Sequence, residues 1–539
     1  MARWNDRLGE ATIASYEADQ RHRQEVLRKL DQIDRIRLSA ADQLNYDLFR
    51  KDLAFDVERH QFRPFVMPIH QRGGVQTSAQ LAELLRFETA KDYSDWIARL
   101  RAFPKLIDEN IALMREGITT RRIWPKVVLQ RVPAQIEKLL VKNPEESAYY
   151  APFKNMPASV PDAEQRRLRD EASRVISEAV VPGFRRFHDF FVNQYLPAAP
   201  DKVGLANLPG GAAQYALEAR RYTTTNLTPQ QIHDLGLREV ARIRGEMQRV
   251  MTRVGFTGTH KEFFAKLRTS PEFYYKTSDE LFIAYQAASK RIDPNLVKVF
   301  RTMPRMPYGV VKIPDEIAPD TTTAYYRSPA ADGSRPGLYF VNLYKPETRP
   351  KYEIMALSLH EAVPGHHFQI ALAQELGEIP NFRRYGGYTA FIEGWGLYAE
   401  SLGDDMGLYD DPYSKFGQLT YEMWRAVRLV VDTGMHALGW SRQQAIDYFM
   451  DNAAKSELDI VNEIDRYITN AGQALAYKIG ELKFKELRAR TKEKLGARFD
   501  VRIFHDAVLA SGAIPLDVLE RNIDSWIATE LARPVKQSP

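Results

Sequence analysis

Cysteine is absent from all 539 residues. That removes thiolate nucleophiles, disulfides and cysteine metal sites in one step. Long apolar runs are absent too: nothing approaches the roughly 18 uninterrupted apolar residues of a membrane-spanning helix. The richest stretch, Val427–Ala437, is broken by Arg428 and Asp432. Charge of one sign is also scarce. Lys and Arg total 75 against 70 Asp and Glu, too even a balance for a nucleic-acid footprint, which needs basic residues gathered on one face. Basic clusters such as Arg166-Arg167-Leu168-Arg169 and Arg220-Arg221 stand beside acids in helical patterns and read as solvated faces. Neither nucleic acid nor membrane is an expected partner, and the oligomeric state stays open. Phosphate-loop, nucleophile-elbow and G-x-G-x-x-G patterns are missing. So is any repeat of 20–50 residues. Asp404-Asp405 and Asp410-Asp411 lack the spacing of a calcium loop and read as turn caps.

The chain begins Met1-Ala2-Arg3-Trp4-Asn5-Asp6, without the apolar core of a signal peptide. Together with the lack of cysteine, this suits a mature exported or periplasmic form given a new start methionine; the alternative is a cytoplasmic protein.

What is present is mostly helix. At 44% hydrophobic and 27% charged residues, the composition is that of a globular protein. Amphipathic periodicity covers most of residues 5–58, 90–142, 162–196, 228–254 and 278–300, and nearly everything from 350 to 530. Capping patterns open several of these runs: Ser39 with Asp42, Asn143-Pro144-Glu145-Glu146, and Thr228-Pro229-Gln230-Gln231. One strand region stands out between Met306 and Tyr344. Gly309–Ile313, Thr323–Tyr326 and Leu338–Val341 are β-branched or aromatic, and Ala331-Asp332-Gly333-Ser334 reads as a hairpin turn. The expected fold is mainly α with a small antiparallel sheet near 306–344. No linker divides residues 1–539, so one helical domain is expected, either undivided or in two lobes of about 1–200 and 201–539. Leu338–Val341 is equally readable as an edge for an extended peptide or as an internal strand.

The chemistry concentrates in Leu359-His360-Glu361-Ala362-Val363-Pro364-Gly365-His366-His367-Phe368. In H-E-x-x-H peptidases two histidines at i and i+4 bind zinc and the Glu between them is the general base. Here position i+4 is Pro364. On a regular helix His366 lies about 120° away from His360, while His367 shares its face but sits about 10 Å further along. Bonds of about 2.1 Å do not easily bridge that gap. Pro364 has no N–H for the carbonyl of His360, so the helix is disturbed at this turn. A bulge absorbing Pro364 and Gly365 restores an i+4-like relation between His360 and His366; His367 remains the alternative ligand. The bland reading is three surface histidines at a kink. A carboxylate should complete the set. Phe391–Glu400 offers Glu393 and Glu400, seven residues apart on one helix face. Glu393 is preferred as ligand and Glu400 as its support; pairing of both acids with Arg425 or Arg428 is the alternative.

These residues resemble a bacterial family known as domain of unknown function 885. The resemblance runs through His360–His367, Glu393-Gly394-Trp395 with Glu400, Arg425-Ala426-Val427-Arg428-Leu429 with Asp432 and His436, and Gln473–Gly480. The pattern is similar to that of helical gluzincin metallopeptidases. It implies a deep channel, one Zn2+ held by His360, His366 and Glu393, and Glu361 as general base. Tyr477 or His436 would stabilise the oxyanion. His367, Glu400, Arg428 and Gln473 would support the ligands or touch substrate. The implied function is a zinc-dependent oligopeptidase or carboxypeptidase for short peptides. Its rivals are a non-catalytic scaffold with a degenerate metal helix and a metal-dependent amidase for non-peptide substrates.

Overall fold

The computed structural model describes residues 4–315, 318–330 and 332–534. Its contacts cluster into two compact units, Met1–Gln214 and Tyr215–Pro539. The expected helical runs are there, and the caps act as the sequence suggests. Ser39 accepts from the Asp42 N–H, and Thr228 forms a capping box with Gln231.

The first unit is organised by α1 (Ala90–Thr119), opened by a Thr89–Asp92 capping box. Its apolar face buries Trp96, Leu100, Phe103, Ile107 and Met114. The Trp96 indole N–H donates to the Tyr149 carbonyl, so the core's largest ring leaves no buried donor unmet.

The second unit carries the histidine segment. Its helices include α2 (Pro229–Arg253), α3 (Ile354–Glu361), α4 (His366–Glu375), α5 (Thr389–Met406), α6 (Pro412–Ala437), α7 (Glu457–Thr469) and α8 (Ala476–Leu495). α5 and α8 cross at Gly394 and Gly480. A Cβ on Gly480 would lie 1.9 Å from the Ala390 carbonyl oxygen, so only glycine allows this approach. The crossing sets Tyr477, one turn before Gly480, beside Glu393. Lys478 is wholly buried, with its ammonium 2.7 Å from Glu422, 2.6 Å from Glu481 and 3.0 Å from Glu239. Arg242 and Lys485 join the same carboxylates, so three cations meet three anions and α2, α6 and α8 are tied together. Buried charge is tolerable only when paired in this way.

The sheet differs from expectation. β1 (Tyr308–Lys312), β2 (Ala324–Arg327) and β3 (Gly337–Val341) lie in the order β1-β3-β2. β2 and β3 form the local antiparallel pair, but β1 runs parallel to β3, with Tyr308 opposite Gly337 and Lys312 opposite Val341. The sheet is therefore mixed, because the chain between β1 and β2 carries β2 to the far side of β3. β3 is the central strand and has no free edge for a peptide. Within the expected turn, Ala331 lies outside the described residues, while Asp332 accepts from the Ser334 N–H.

Candidate metal centre

α3 stops at Glu361, and α4 begins at His366. The four residues between them are a break, not the expected bulge in one continuous helix. Ala362 takes φ −97° and ψ −111°, outside the helical region. The Val363–Pro364 peptide is cis. Gly365 packs on the end of α3: a Cβ there would lie 1.8 Å from the His360 carbonyl oxygen. The Trp395 indole N–H of α5 donates to the Pro364 carbonyl at 2.7 Å and holds the loop.

This break brings His366 next to His360, with ring centres 4.7 Å apart and planes nearly perpendicular. Glu393 Oε2 lies 3.6 Å from His360 Nε2 and 3.5 Å from His366 Nε2. These separations are long for N–H···O hydrogen bonds, whose usual range ends at about 3.2 Å. They match the edge of a tetrahedron of donors around one ion, about 3.4 Å for bonds of about 2.1 Å. His360, His366 and Glu393 form a group whose ligand atoms all lie within 4.8 Å of one another. Two imidazoles and a carboxylate are a donor set that zinc accepts. The His360 side chain is 3% exposed, that of His366 11% and that of Glu393 22%, so the group opens on the carboxylate side.

Support comes from α5 and α6. The Nδ1 of His360 is 2.8 Å from Glu400 Oε1. A Nδ1–H donated there fixes the ring's orientation and turns Nε2 toward Glu393. Glu400 is fully buried, with the Arg425 guanidinium 3.7 Å away and the Tyr409 hydroxyl donating to its carbonyl. Burial alone would lower the pKa of His360, but the Glu393 and Glu400 carboxylates outweigh it and push the imidazole up to about 9. Burial works against ionisation of Glu393 as well; the two histidines overcome it and hold its carboxyl well below the usual range. The two shifts together describe a His360 imidazolium paired with the Glu393 carboxylate.

His367 faces the other way. Its Nε2–H donates to the Met306 carbonyl at 2.9 Å and its Nδ1 accepts from the Tyr326 hydroxyl at 2.9 Å. Both nitrogens are occupied, and burial lowers the ring's pKa to about 4, keeping it neutral. His367 anchors α4 to the sheet. Met306 and Tyr326 lie far away in sequence, and no local pattern marks them as its partners.

Glu361 is half-buried beside His360, and its carboxylate makes no hydrogen bond or ion pair among the described residues. Burial and the nearby Glu393 raise the pKa of Tyr477 more than Arg428, Arg466 and Gln473 lower it, so the phenol keeps its proton. Arg428 does not pair with Glu393 or Glu400. It lies 4.4 Å over the Tyr477 ring and donates to the Tyr467 hydroxyl and to Glu463. His436 belongs elsewhere: it bonds the Tyr467 carbonyl, stacks on Tyr215 and sits near Asp432, a buried packing role. Sequence reasoning missed Glu463 and Arg466, although their i, i+3 spacing is that of a helical ion pair.

The family model described as a bacterial protein of unknown function (DUF885) matches residues 1–523. The chain belongs to this family. Among solved structures it is similar to "the putative lipoprotein from Colwellia psychrerythraea", with 30% identity, a TM-score of 0.87, and coverage of 98% of this chain and 93% of that one. A "putative lipoprotein of unknown function from Shewanella oneidensis" shares the fold at 17% identity and a TM-score of 0.74, over 96% of this chain and 94% of that one. A search of curated proteins finds no match.

Proposed function

We propose that this family member is a zinc-dependent peptidase acting on short peptides. The observation that carries the reading is the convergence of His360, His366 and Glu393 at tetrahedral-edge spacing, with His360 held from behind by Glu400. Zinc, when bound, supplies Lewis acidity that makes water a nucleophile near neutral pH and polarises a carbonyl. Glu361 accepts the proton of the attacking water at its free carboxylate and delivers it to the leaving amine nitrogen. Tyr477, kept protonated, donates its phenolic hydrogen to the oxygen that becomes negative. The description of the Colwellia protein as a lipoprotein supports an exported setting for this reaction.

The test has two stages. Elemental analysis after metal-free purification and zinc reconstitution should find about one zinc per chain; a value near zero sinks the reading. Glu361→Gln should then retain that zinc and lose roughly 10²- to 10⁴-fold in peptide turnover. Near wild-type hydrolysis would remove Glu361 from the mechanism.

A further inference from the structure

Beside Tyr477 the positive and negative charges do not balance. Arg466 reaches Glu463 through Nη2 at 2.9 Å and Nε at 3.1 Å, and Arg428 reaches the same carboxylate through Nη2 at 3.0 Å. The Tyr467 hydroxyl adds a third donor residue at 2.6 Å. One carboxylate thus serves two guanidiniums, whose side chains are only 7% and 13% exposed. The other acids nearby do not remove the surplus. Glu400 is taken by His360 and Arg425, and Glu393 faces the two histidines. Asp432 is fully buried, accepts from the Tyr215 hydroxyl and the Gly472 N–H, and burial favours its neutral form. A cation so little hydrated and only half neutralised is unfavourable unless an anion completes the set. Arg428 Nη1 shows the same deficit, since it is buried without a hydrogen-bond partner.

The surplus lies close to the candidate metal ligands, through Tyr477 beside Glu393. Arg428 lies one turn, about 4.5 Å, along α6 from Arg425, which reaches Glu400 behind His360. Arg466 Nη1 donates to Gln473 Oε1 at 2.7 Å, and Gln473 stands one turn before Tyr477, whose ring lies 4.4 Å under the Arg428 guanidinium. The path from metal ligand to surplus cation is thus Glu393, Tyr477, Gln473, Arg466, and the last three side chains are each partly open.

We propose that Arg466, Arg428 and Gln473 form a subsite for the C-terminal carboxylate of the substrate, so that the protein cleaves near free C-termini. The inference rests on the peptidase reading for the cleavage but not for the carboxylate binding. The probes are an N-acetylated tripeptide with a free C-terminal acid, the same peptide as its amide, and an amide carrying an internal glutamate. Calorimetry on the whole protein should find the acid binding roughly 10- to 100-fold tighter than the amide, the range of a charge-assisted hydrogen bond. Arg466→Gln should erase the gap. Gln473→Glu keeps the shape of the side chain but neutralises Arg466 internally, and it should erase the gap even if Arg466→Gln fails to fold. Equal binding of acid and amide, a gap that survives Gln473→Glu, or tightest binding by the internal glutamate each overturns the proposal. Acid-selective binding without cleavage would keep it and sink the peptidase reading; cleavage without acid–amide discrimination would do the reverse.

Discussion

Gly396→Ala is a sharp test of the metal centre, because it acts on one ligand through a single methyl group. Gly396 sits inside α5 facing the His360 ring. A Cβ there would lie 2.8 Å from Cε1, 2.9 Å from Nε2 and 3.1 Å from Nδ1. Non-bonded carbon contacts are comfortable only from about 3.5 Å, so the ring must retreat by roughly 0.6 Å. Zinc–ligand distances tolerate only about 0.2 Å. The same retreat strains the 2.8 Å bond from Nδ1 to Glu400. Alanine is also the better helix former by about 0.5–1 kcal/mol, which offsets part of an overpacking cost of about 1–3 kcal/mol. The two effects therefore separate. The thermal midpoint should fall by only a few degrees, while zinc affinity should fall by at least the roughly 10- to 100-fold typical of disturbing a ligand's support. Competitive titration against a chromophoric chelator reads the affinity, and thermal unfolding of the metal-free protein reads the fold. Zinc affinity within twofold of wild type would refute the placement of His360 as a ligand.

Other outcomes follow from the same geometry. His366→Ala should abolish stoichiometric zinc, whereas His367→Ala should keep zinc yet lose about 2–4 kcal/mol in urea unfolding, since it orphans the Met306 carbonyl and the Tyr326 hydroxyl; the reverse pattern would exchange the two histidines. Tyr477→Phe should lower kcat roughly 10²-fold with little change in KM or zinc content, as expected of a donor used only in the transition state; a pure KM effect would make it a binding group. His505 is fully buried, and burial lowers its pKa to about 3. The unfolded chain therefore binds the extra proton first: stability present above about pH 6.5 is lost as pH falls toward 3, at up to about 1.4 kcal/mol per pH unit. His505→Gln should flatten that slope in urea titrations between pH 6.5 and 4, and an unchanged slope would assign the acid sensitivity elsewhere.

The fold class was legible because helical periodicity and capping are local. Thr228 and Gln231 close their capping box within four residues, and the apolar face of α1 repeats every turn. The sheet order was not legible, since nothing in Gly309–Ile313 states whether it joins β2 or β3. The Lys478 cluster was hidden for a similar reason. It unites charges from α2, α6 and α8, each of which reads alone as an ordinary polar position.

The histidine pair shows where angular bookkeeping stops working. Counting 100° per residue assumes one axis, and it favours His367 on angle and His366 only with a bulge. The chain does neither. It ends one helix at Glu361 and starts another at His366, so the angle between the residues loses its meaning. Full breakage alone would also allow His367 to swing inward. Distant contacts prevent it: the Met306 carbonyl and Tyr326 hydroxyl take both nitrogens of His367. Gly337 at the start of β3 makes room for that ring, since a Cβ there would lie 2.5 Å from its Nδ1. The sheet therefore decides which of the two adjacent histidines joins His360 and Glu393. That is why Met306, Tyr326 and Gly337, distant in sequence, shape the group as much as the histidines do.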